Sequence, residues 1–345
     1  MTRWAVILAG GVGSRFWPLS TPERPKQLLP LVNDEPLLVN TFRRLEAIVP
    51  VERTLVLTNA SLAHAISDAV PSLPKENILA EPKPAGTAAA LAWAALEIER
   101  RTGVESTMIC VHADWAIADD AGFRAALLAA EEVAIGQGAL VTVGVLPTRA
   151  DPGFGYIEPG EAIDEGGMRV KPFVEKPDRA RAESMMHAGY LWNSGIFAWR
   201  VGEFLAEVRA HTTEVAKALA ENAEAGLDAF FNAVTPVSVD VGVLERSDKV
   251  RVVKGDFGWD DVGTWGALRR VKPEDTSGNV SSGDVFTFDA KGNVVHAEGQ
   301  TAVLYGVSDL VVVTRGGVTL VTTTERSADL KTLIDALPAR LRDLT

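Results

Sequence analysis

The stretch Leu8-Ala9-Gly10-Gly11-Val12-Gly13-Ser14-Arg15-Phe16-Trp17-Pro18, followed by Pro25-Lys26-Gln27, decides how this chain is interpreted. The apolar run Trp4 to Leu8 precedes it and favours a buried first strand. Three glycines allow the backbone to approach a ligand closely. Arg15 and Lys26 add two positive charges at the same place. A glycine-rich backbone with nearby cations is typical of a site for an anionic polyphosphate.

Two better-known phosphate loops do not fit this stretch. The pattern G-x-x-x-x-G-K-[ST] needs a Lys followed by Ser or Thr, and none follows these glycines. The pattern G-x-G-x-x-G, counted from Gly11, reaches Phe16 at its third glycine position. A dinucleotide-dependent oxidoreductase is therefore a weakened alternative. An ordinary glycine-rich turn after a first strand also stays open.

Composition restricts the class of protein. The 345 residues are 47% apolar, carry a net charge of −12 and include one cysteine. This length predicts two domains, and the acidic balance argues against nucleic-acid binding. No apolar run is long enough for a membrane span, and no leader-like segment precedes the first strand, so we expect a cytoplasmic protein. Cys110 is expected to fill the core, and the five histidines form no zinc motif.

Short apolar runs alternate with helical patterns over the first two thirds of the chain. The predicted strands are Ala5–Ala9, Thr54–Asn59, Met108–His112 and Leu140–Val145. The predicted helices are Leu37–Ile48, Leu62–Val70, Thr87–Arg101 and Ala121–Ile135. This alternation predicts a doubly wound, mostly parallel α/β sheet, in which ligands bind beyond the carboxyl ends of the strands. Later strands are expected at Gly155–Glu158, Val170–Glu175 and Tyr190–Val201, before a helical region from Val201 to Ala225.

A polar break after Pro273 predicts a domain boundary, giving a catalytic domain over 1–273 and a small β-rich domain over 274–345. Turn signals separate the strands that we predict in this tail. They are Val285–Asp289, Asn293–Ala297, Thr301–Tyr305, Leu310–Thr314 and Val318–Thr322. A final helix is predicted over Ser327–Leu337.

The opening motif resembles that of the sugar nucleotidyltransferases (pyrophosphorylases), which reads L-A-G-G-x-G-[ST]-R-L-x-P-L-[ST] and then P-K-x-[LF]. The resemblance implies a Rossmann-like, GT-A type domain that joins a nucleoside triphosphate to a sugar 1-phosphate and releases pyrophosphate. Trp17 and Gln27 favour the members that use GTP and α-D-mannose 1-phosphate to make GDP-mannose. A different base or sugar stays an alternative, and so does a non-catalytic nucleotide-sugar sensor.

The resemblance also implies roles for residues around the nucleotide. Arg15 and Lys26 would be catalytic. The residues implied in nucleotide binding are Leu8, Gly10, Gly11, Gly13, Ser14, Glu81 and Thr87. Glu81 and Thr87 stand in the family's E-P-x-x-x-N-T-A segment, where Gly86 replaces the usual Asn. A Glu81 carboxylate could accept from guanine N1–H and N2–H₂, a donor pair that adenine lacks.

A metal site is implied by two aspartates. Asp114 lies in His112-Ala113-Asp114-Trp115, which resembles the family's P-A-D-H segment but has His112 and Trp115 at the Pro and His places. Asp261 lies in Gly258-Trp259-Asp260-Asp261-Val262-Gly263-Thr264-Trp265, which resembles W-x-D-V-G-[ST]-W. Together Asp114 and Asp261 suit one Mg²⁺ held against a triphosphate. Asp260 is the alternative to Asp261.

Three further segments imply a sugar-phosphate site. They contribute Gly155, then Glu175 and Lys176 from F-V-E-K-P, and Asn193 from W-N-S-G-[IM]-F. Taken alone, these segments read as a surface ion pair and bulged strands. Longer family members carry an isomerase domain after the tail, so we expect a single activity for a chain that ends at Thr345. A homodimer is an open assembly, and neither nucleic acid nor membrane is an expected partner.

Overall fold

A nine-stranded sheet organises the computed structural model, which describes residues 1–11 and 13–342. A two-stranded and a four-stranded sheet accompany it. The strands in chain order are β1 (Arg3–Leu8), β2 (Thr54–Asn59), β3 (Ile78–Glu81), β4 (Thr107–His112), β5 (Ala116–Ile117), β6 (Leu140–Val145), β7 (Tyr156–Ala162), β8 (Met168–Val174), β9 (Leu191–Arg200), β10 (Val250–Gly255), β11 (Trp259–Asp260), β12 (Val280–Phe288), β13 (Val294–Tyr305), β14 (Leu310–Arg315) and β15 (Val318–Thr323).

The large sheet has the order β3-β2-β1-β4-β9-β6-β10-β8-β7. Strand β1 pairs in parallel with β2 and β4, and β10 pairs in parallel with β6. Strand β9 runs antiparallel between β4 and β6, so those two neighbours still share one direction. The predicted doubly wound, mostly parallel sheet is confirmed. The insertion of β9 carries the 190–201 segment into the middle of the sheet, which the sequence pattern did not predict.

Helices cover both faces of this sheet. Those of the first 233 residues are α1 (Leu37–Glu46), α2 (Ala63–Ala69), α3 (Gly86–Thr102), α4 (Asp120–Gln137), α5 (Arg179–His187), α6 (Val201–His211), α7 (Thr213–Glu221) and α8 (Leu227–Ala233). Three short helices follow later in the chain: α9 (Leu268–Val271), α10 (Leu330–Ala336) and α11 (Ala339–Arg342). Alternate residues of β1 explain the two layers, because Val6 packs with one buried cluster and Ile7 with the other. Cys110 lies fully buried in the first cluster, as expected for a core residue. None of the helices in the described part of the chain is long and apolar enough to cross a membrane.

The tail forms the four-stranded sheet, in the order β12-β13-β14-β15. Two strands predicted separately, Asn293–Ala297 and Thr301–Tyr305, are one continuous strand, β13. Gly299 interrupted the apolar pattern and suggested a turn, but the strand continues through it with a positive φ of 75°. The predicted helix Ser327–Leu337 is a 3₁₀ turn over Arg326–Asp329 followed by α10.

A short repeat explains why β12, β13 and β14 run parallel with brief connections. Gly-Asn-Val occurs at 278–280 and again at 292–294. The Asn279 Oδ1 accepts from Asn293 Nδ2 at 2.9 Å, and Asn293 Oδ1 accepts from the Leu310 N–H at 3.0 Å. These side-chain bonds stack successive coils of the chain. Sequence reasoning overlooked this three-residue repeat.

The tail packs directly against the loop that follows β1. Arg315 Nη1 donates to the Pro18 and Leu19 carbonyls at 3.2 and 2.7 Å. Phe16 and Trp265 share one buried cluster with tail residues such as Val311. The tail therefore supports the segment that directly follows the glycine-rich loop.

Candidate active site

The first cavity lies where β1, β3 and β4 end. Because these strands run in the same direction, Leu8, Glu81 and His112 come together at one edge of the sheet. The cavity has a volume of about 320 Å³. Its lining includes Leu8, Ala9, Gly10, Gly11, Gln27, Leu57, Glu81, Pro84, Ala85, Gly86, Thr87, Ala90, His112, Ala113 and Asp114.

The second cavity adjoins the first and has a volume of about 290 Å³. The two share Leu8, Thr87 and His112. The second is lined in addition by Trp115, Gly153, Phe154, Gly155, Glu175, Asn193, Ser194, Gly195, Phe197, Ser238, Val239, Asp240, Trp259 and Asp261. This arrangement can hold two small ligands side by side.

The glycine-rich loop is fixed at both of its ends. Gly13 has a φ of 65°, and a Cβ at this position would run into the Lys26 side chain. The Gln27 side chain donates to the Ala9 carbonyl at 2.7 Å, which ties the loop to the Lys26 turn. Gly10 and Gly11 are exposed and line the first cavity. Val12 lies outside the described residues.

Lys26 is the best-buried cation of the site, with a side chain that is 7% exposed. Its Nζ donates to Asp114 Oδ2 at 2.9 Å and to the Asp261 carbonyl at 2.5 Å. Burial alone would raise the pKa of Asp114, but the charge and hydrogen bond of Lys26 outweigh it, and the pKa is lowered. Asp114 therefore carries a negative charge at neutral pH.

Neighbouring aspartates have different surroundings. The Asp260 carboxylate accepts from Arg270 Nε at 2.6 Å and from its Nη2 at 2.9 Å, and Arg149 lies at 3.4 Å. Asp260 also caps the Val262 N–H at 2.8 Å, so it is occupied by structural contacts. Burial raises the pKa of Asp261, and nearby Lys26 opposes that rise. Asp261 lines the second cavity, which makes it the freer of the two carboxylates.

Arg15 reaches the same place from the loop. A Cβ built on Gly263 would lie 2.7 Å from Asp261 Oδ2 and 3.4 Å from Arg15 Nη1. The Arg15 guanidinium and the Asp261 carboxylate thus both lie close to Gly263, where the absence of a side chain leaves room for them. Arg15 and Ser14 are exposed and are not among the residues lining either cavity.

The carboxylates fit a divalent cation only with help from a ligand. No group of three or more His, Cys, Asp or Glu side chains within residues 1–11 and 13–342 is arranged to hold a metal. Asp114 lines the first cavity and Asp261 the second, on either side of Lys26. Mg²⁺ is commonly bound by one or two carboxylates, with phosphate oxygens and water completing its shell. This donor set therefore fits Mg²⁺ together with a polyphosphate.

Glu81 and Gly86 shape the far end of the first cavity. Burial raises the pKa of Glu81 to about 7. Gly86 has a φ of 80°, and a Cβ there would collide with the Val237 carbonyl. The adjacent Thr87 hydroxyl accepts from the Val239 N–H at 2.8 Å. Close packing of the 237–239 segment on α3 explains why glycine stands here instead of asparagine.

Glu175 and Gly155 meet in the second cavity. A Cβ on Gly155 would collide with the Phe173 ring and lie 2.7 Å from Glu175 Oε2, so only glycine leaves room for this carboxylate. Lys176 pairs with Glu175 and has a φ of 45°. Lys176 is exposed at the rim and is not among the residues lining the cavity.

Asn193 is committed to neighbouring protein groups. Its Oδ1 accepts from Thr142 Oγ1 at 3.2 Å, and its Nδ2 donates to Asp240 Oδ1 at 2.7 Å. Asp240 is a lining residue that sequence reasoning missed. It begins a π-helical turn, Asp240–Leu244, which has no simple sequence signal.

His112 was also missed as a lining residue, although the sequence marked it as a departure. It contacts both cavities, and its ring stands 4.8 Å from that of Trp115. Burial lowers the pKa of His112, despite the opposing charge of Asp114, which favours the neutral ring at pH 7. Its place at the end of a strand beside Asp114 was the signal that could have identified it.

Comparison with known proteins gives consistent matches. The nucleotidyl transferase family profile matches residues 4–278. A mannose-1-phosphate guanylyltransferase of Salmonella muenchen is 35% identical over 98% of this chain and 74% of its own length. The alginate biosynthesis protein AlgA of Pseudomonas aeruginosa is 34% identical over 99% of this chain and 73% of its own length. A crystal structure described as mannose-1-phosphate geranyltransferase from Thermus thermophilus has a TM-score of 0.90 and 35% identity, covering 97% of this chain and 99% of that one.

Proposed function

Since the chain belongs to the nucleotidyl transferase family, we propose that it transfers a guanylyl group from GTP to α-D-mannose 1-phosphate, giving GDP-mannose and pyrophosphate. The observation that carries this proposal is the pair of adjoining cavities, which share Leu8, Thr87 and His112. Asp114 lines one cavity and Asp261 the other, and Lys26 contacts both aspartates. Two substrates that react directly need such a shared boundary.

The reaction is a direct displacement at the α-phosphorus of GTP. A phosphate oxygen of the sugar phosphate forms the new P–O bond, and the bond to the departing pyrophosphate breaks. A phosphate monoester has a second pKa of about 6, so the attacking group is already largely ionised at neutral pH. A general base is therefore unnecessary, and catalysis consists of positioning and charge neutralisation.

Lys26 is the group best placed for that neutralisation. Its ammonium is buried between Asp114 and Asp261, where its interaction with phosphate oxygens would be strong. We assign it to the charge that builds between the α-phosphate and the departing pyrophosphate. Arg15 and the backbone N–H groups of Gly10, Gly11 and Gly13 would hold the triphosphate, with Ser14 at the rim.

Mg²⁺ is part of the proposal. Asp114 and Asp261 would hold it, and the ion would supply charge neutralisation to the phosphates. Lys26 donates to the Asp114 carboxylate and to the Asp261 backbone carbonyl, so Asp114 is the carboxylate that Lys26 and the metal would have to share. Two carboxylates, Lys26 and a dication together carry a net charge of +1, which suits a polyphosphate better than the carboxylates alone.

Guanine recognition is assigned to Glu81, at the far end of the first cavity. Its ionised carboxylate would accept two hydrogen bonds from guanine, while Leu8 and Thr87 would contact the nucleoside. In the second cavity, Glu175 and Asn193 would orient the sugar, Gly155 would admit it, and Lys176 would approach its phosphate from the rim.

Two wider properties complete the proposal. Phe286 faces Val303 and Phe288 faces Tyr305 across the tail sheet, and all four are exposed. An exposed apolar row of this kind supports a homodimer formed through the tail. Light scattering of the wild type and of Phe288→Glu tests this dimer: the wild type should be dimeric and the variant monomeric.

The charged substrates GTP and sugar phosphate imply a cytoplasmic setting.

The test of the activity is a pyrophosphate-release screen of GTP, ATP, UTP and dTTP, each with mannose 1-phosphate and glucose 1-phosphate. We expect the highest kcat/KM for GTP with mannose 1-phosphate, and loss of turnover on chelation of divalent metal. A clear preference for UTP or dTTP with glucose 1-phosphate would overturn the choice of substrates. If no pair of substrates released pyrophosphate, the alternative of a non-catalytic nucleotide-sugar sensor would be favoured.

A further inference from the structure

Asp240 is a carboxylate in the second cavity that no motif of the sequence assigns. It is the first residue of the π-helical turn Asp240–Leu244. Within residues 1–11 and 13–342 no Lys or Arg forms an ion pair with it, and Asn193 is the side chain that donates to it. Burial raises the pKa of Asp240, and the nearby charge of Glu175 adds to the rise. A buried carboxylate without a cationic partner lowers the stability of the folded protein, and such groups are common at binding sites.

Asn193 supports Asp240 through a chain of hydrogen bonds. Thr142 Oγ1 donates to Asn193 Oδ1 at 3.2 Å, which fixes the amide so that Nδ2 points to Asp240 Oδ1 at 2.7 Å. The Gly195 N–H adds a weaker bond to the same Oδ1 at 3.4 Å. The Asn193 Oδ1 and one N–H of its Nδ2 are therefore engaged with protein groups. Asp240 has acceptor capacity left for a ligand in the cavity.

The position of Asp240 is also fixed from the first cavity. The Val239 N–H donates to Thr87 Oγ1 at 2.8 Å, and the Ala88 N–H donates to the Val237 carbonyl at 3.2 Å. These contacts anchor the segment before Asp240 on the start of α3. Asp240 thus faces the second cavity directly after a segment that is anchored on α3.

Aromatic rings and a second carboxylate line other parts of this cavity. Trp115, Phe154 and Trp259 give it an aromatic wall. Glu175 supplies a second carboxylate. Carboxylate acceptors beside aromatic rings suit a neutral polyol, because hydroxyl groups donate to the carboxylates while C–H faces lie on the rings.

We propose that Asp240 accepts a hydrogen bond from a ring hydroxyl of the sugar phosphate and helps to select the sugar, while Asn193 is a positioning residue for Asp240. This inference rests on the proposed function, since it names a further contact to the same acceptor substrate. It changes the predicted role of Asn193 from direct binding to support.

The test compares wild type with Asp240→Asn, which keeps the shape and removes the charge. We expect kcat/KM for mannose 1-phosphate to fall about ten- to a hundredfold, as for loss of a charged hydrogen bond, with the KM for GTP unchanged. One member of a set of monodeoxy mannose 1-phosphates should react equally well with both proteins, because it lacks the hydroxyl that Asp240 contacts. Asp248→Asn, an exposed carboxylate far from the cavities, is the matched control.

The outcomes separate this inference from the proposed function. A wild type that makes no nucleotide sugar overturns both. An active wild type whose Asp240→Asn variant keeps its kcat/KM for mannose 1-phosphate overturns the role of Asp240 alone, and so does an equal loss with every deoxy analogue. The melting temperature should stay level or rise, because a desolvated charge is removed. Asp240→Ser carries the same comparison if Asp240→Asn does not fold.

Discussion

Glu81→Gln should remove a pH dependence from the binding of guanine nucleotides. Burial raises the pKa of Glu81 to about 7, so in the free protein the carboxylate is half ionised near neutral pH. Guanine N1–H and N2–H₂ are donors and need the ionised form. Binding should therefore release a proton below this pH and strengthen as the pH rises.

The magnitude follows from the ionised fraction. For a pKa of about 7, the carboxylate is roughly 9% ionised at pH 6 and roughly 91% at pH 8. The apparent Kd scales inversely with the competent fraction, so the affinity should rise about tenfold over this range. Glu81→Gln should bind more weakly at pH 8 and show little change with pH.

The assay is calorimetric titration with GDP-mannose, which has no phosphate group that titrates near neutrality. His112 also lines the cavity, and the comparison of wild type with Glu81→Gln isolates the contribution of Glu81. A wild-type affinity that is flat between pH 6 and 8, or an equal slope in the variant, would refute the reasoning. The pH dependence of the free energy of unfolding provides a second test. Folding raises the pKa of Glu81 from 4.5 to about 7, so the free energy of unfolding should fall as the pH rises between these two values and level off above them, and the variant should lose less.

Four more substitutions test the remaining parts of the site and its contact with the tail. Lys26→Ala should lower kcat by about 10²–10³ while changing GTP affinity far less, because its assigned role is in the transition state. Asp261→Asn should shift activation to higher Mg²⁺ concentrations. Asp260→Asn should mainly lower the free energy of unfolding, by about 2 kcal/mol, since it weakens the bonds of a buried carboxylate to the partly exposed Arg270. Arg315→Met should lower that free energy by about 2 kcal/mol through loss of its bonds to the glycine-loop segment.

Each substitution has its own measurement and control. Steady-state kinetics and GTP titration compare Lys26→Ala with Lys83→Ala, an exposed cation away from the reacting groups, and near-normal turnover would contradict the assignment. Metal titration of activity separates the two aspartates; if Asp260→Asn alone altered the Mg²⁺ dependence, the ligand would be misassigned. Urea unfolding measures Arg315→Met, and an unchanged midpoint would show that the tail contact is dispensable.

Sequence reasoning located the parts of the site that depend on strand ends. Leu8 and Asp114 lie at the ends of predicted apolar strands, and such ends meet at one edge of a parallel sheet whatever the details of packing. Glu81 came from motif resemblance, and it ends strand β3, which was not predicted. Gly155 and Glu175 came from motif resemblance, and the structure brings them together because glycine alone leaves room for the carboxylate.

Other features could not be obtained from the sequence. Asp240 reaches the second cavity through a π-helical turn and through the place of β9 in the sheet, both set by tertiary packing. The sequence left the choice between Asp260 and Asp261 open, and the pairing of Asp260 with Arg270 and Arg149 favours Asp261 as the proposed ligand. The Gly-Asn-Val repeat of the tail was readable, but its spacing was too short to stand out without the Asn279–Asn293 bond. The division at 273 stays a prediction.

The most direct test of the central claim follows the oxygen atoms of the acceptor. Purified protein is incubated with GTP, Mg²⁺ and mannose 1-phosphate whose phosphate oxygens are all labelled with ¹⁸O. Mass spectrometry then measures how many labelled oxygens each product contains. Direct attack beside Lys26 requires every labelled oxygen to appear in GDP-mannose and none in pyrophosphate. Label in the pyrophosphate, or the absence of GDP-mannose, would contradict the account.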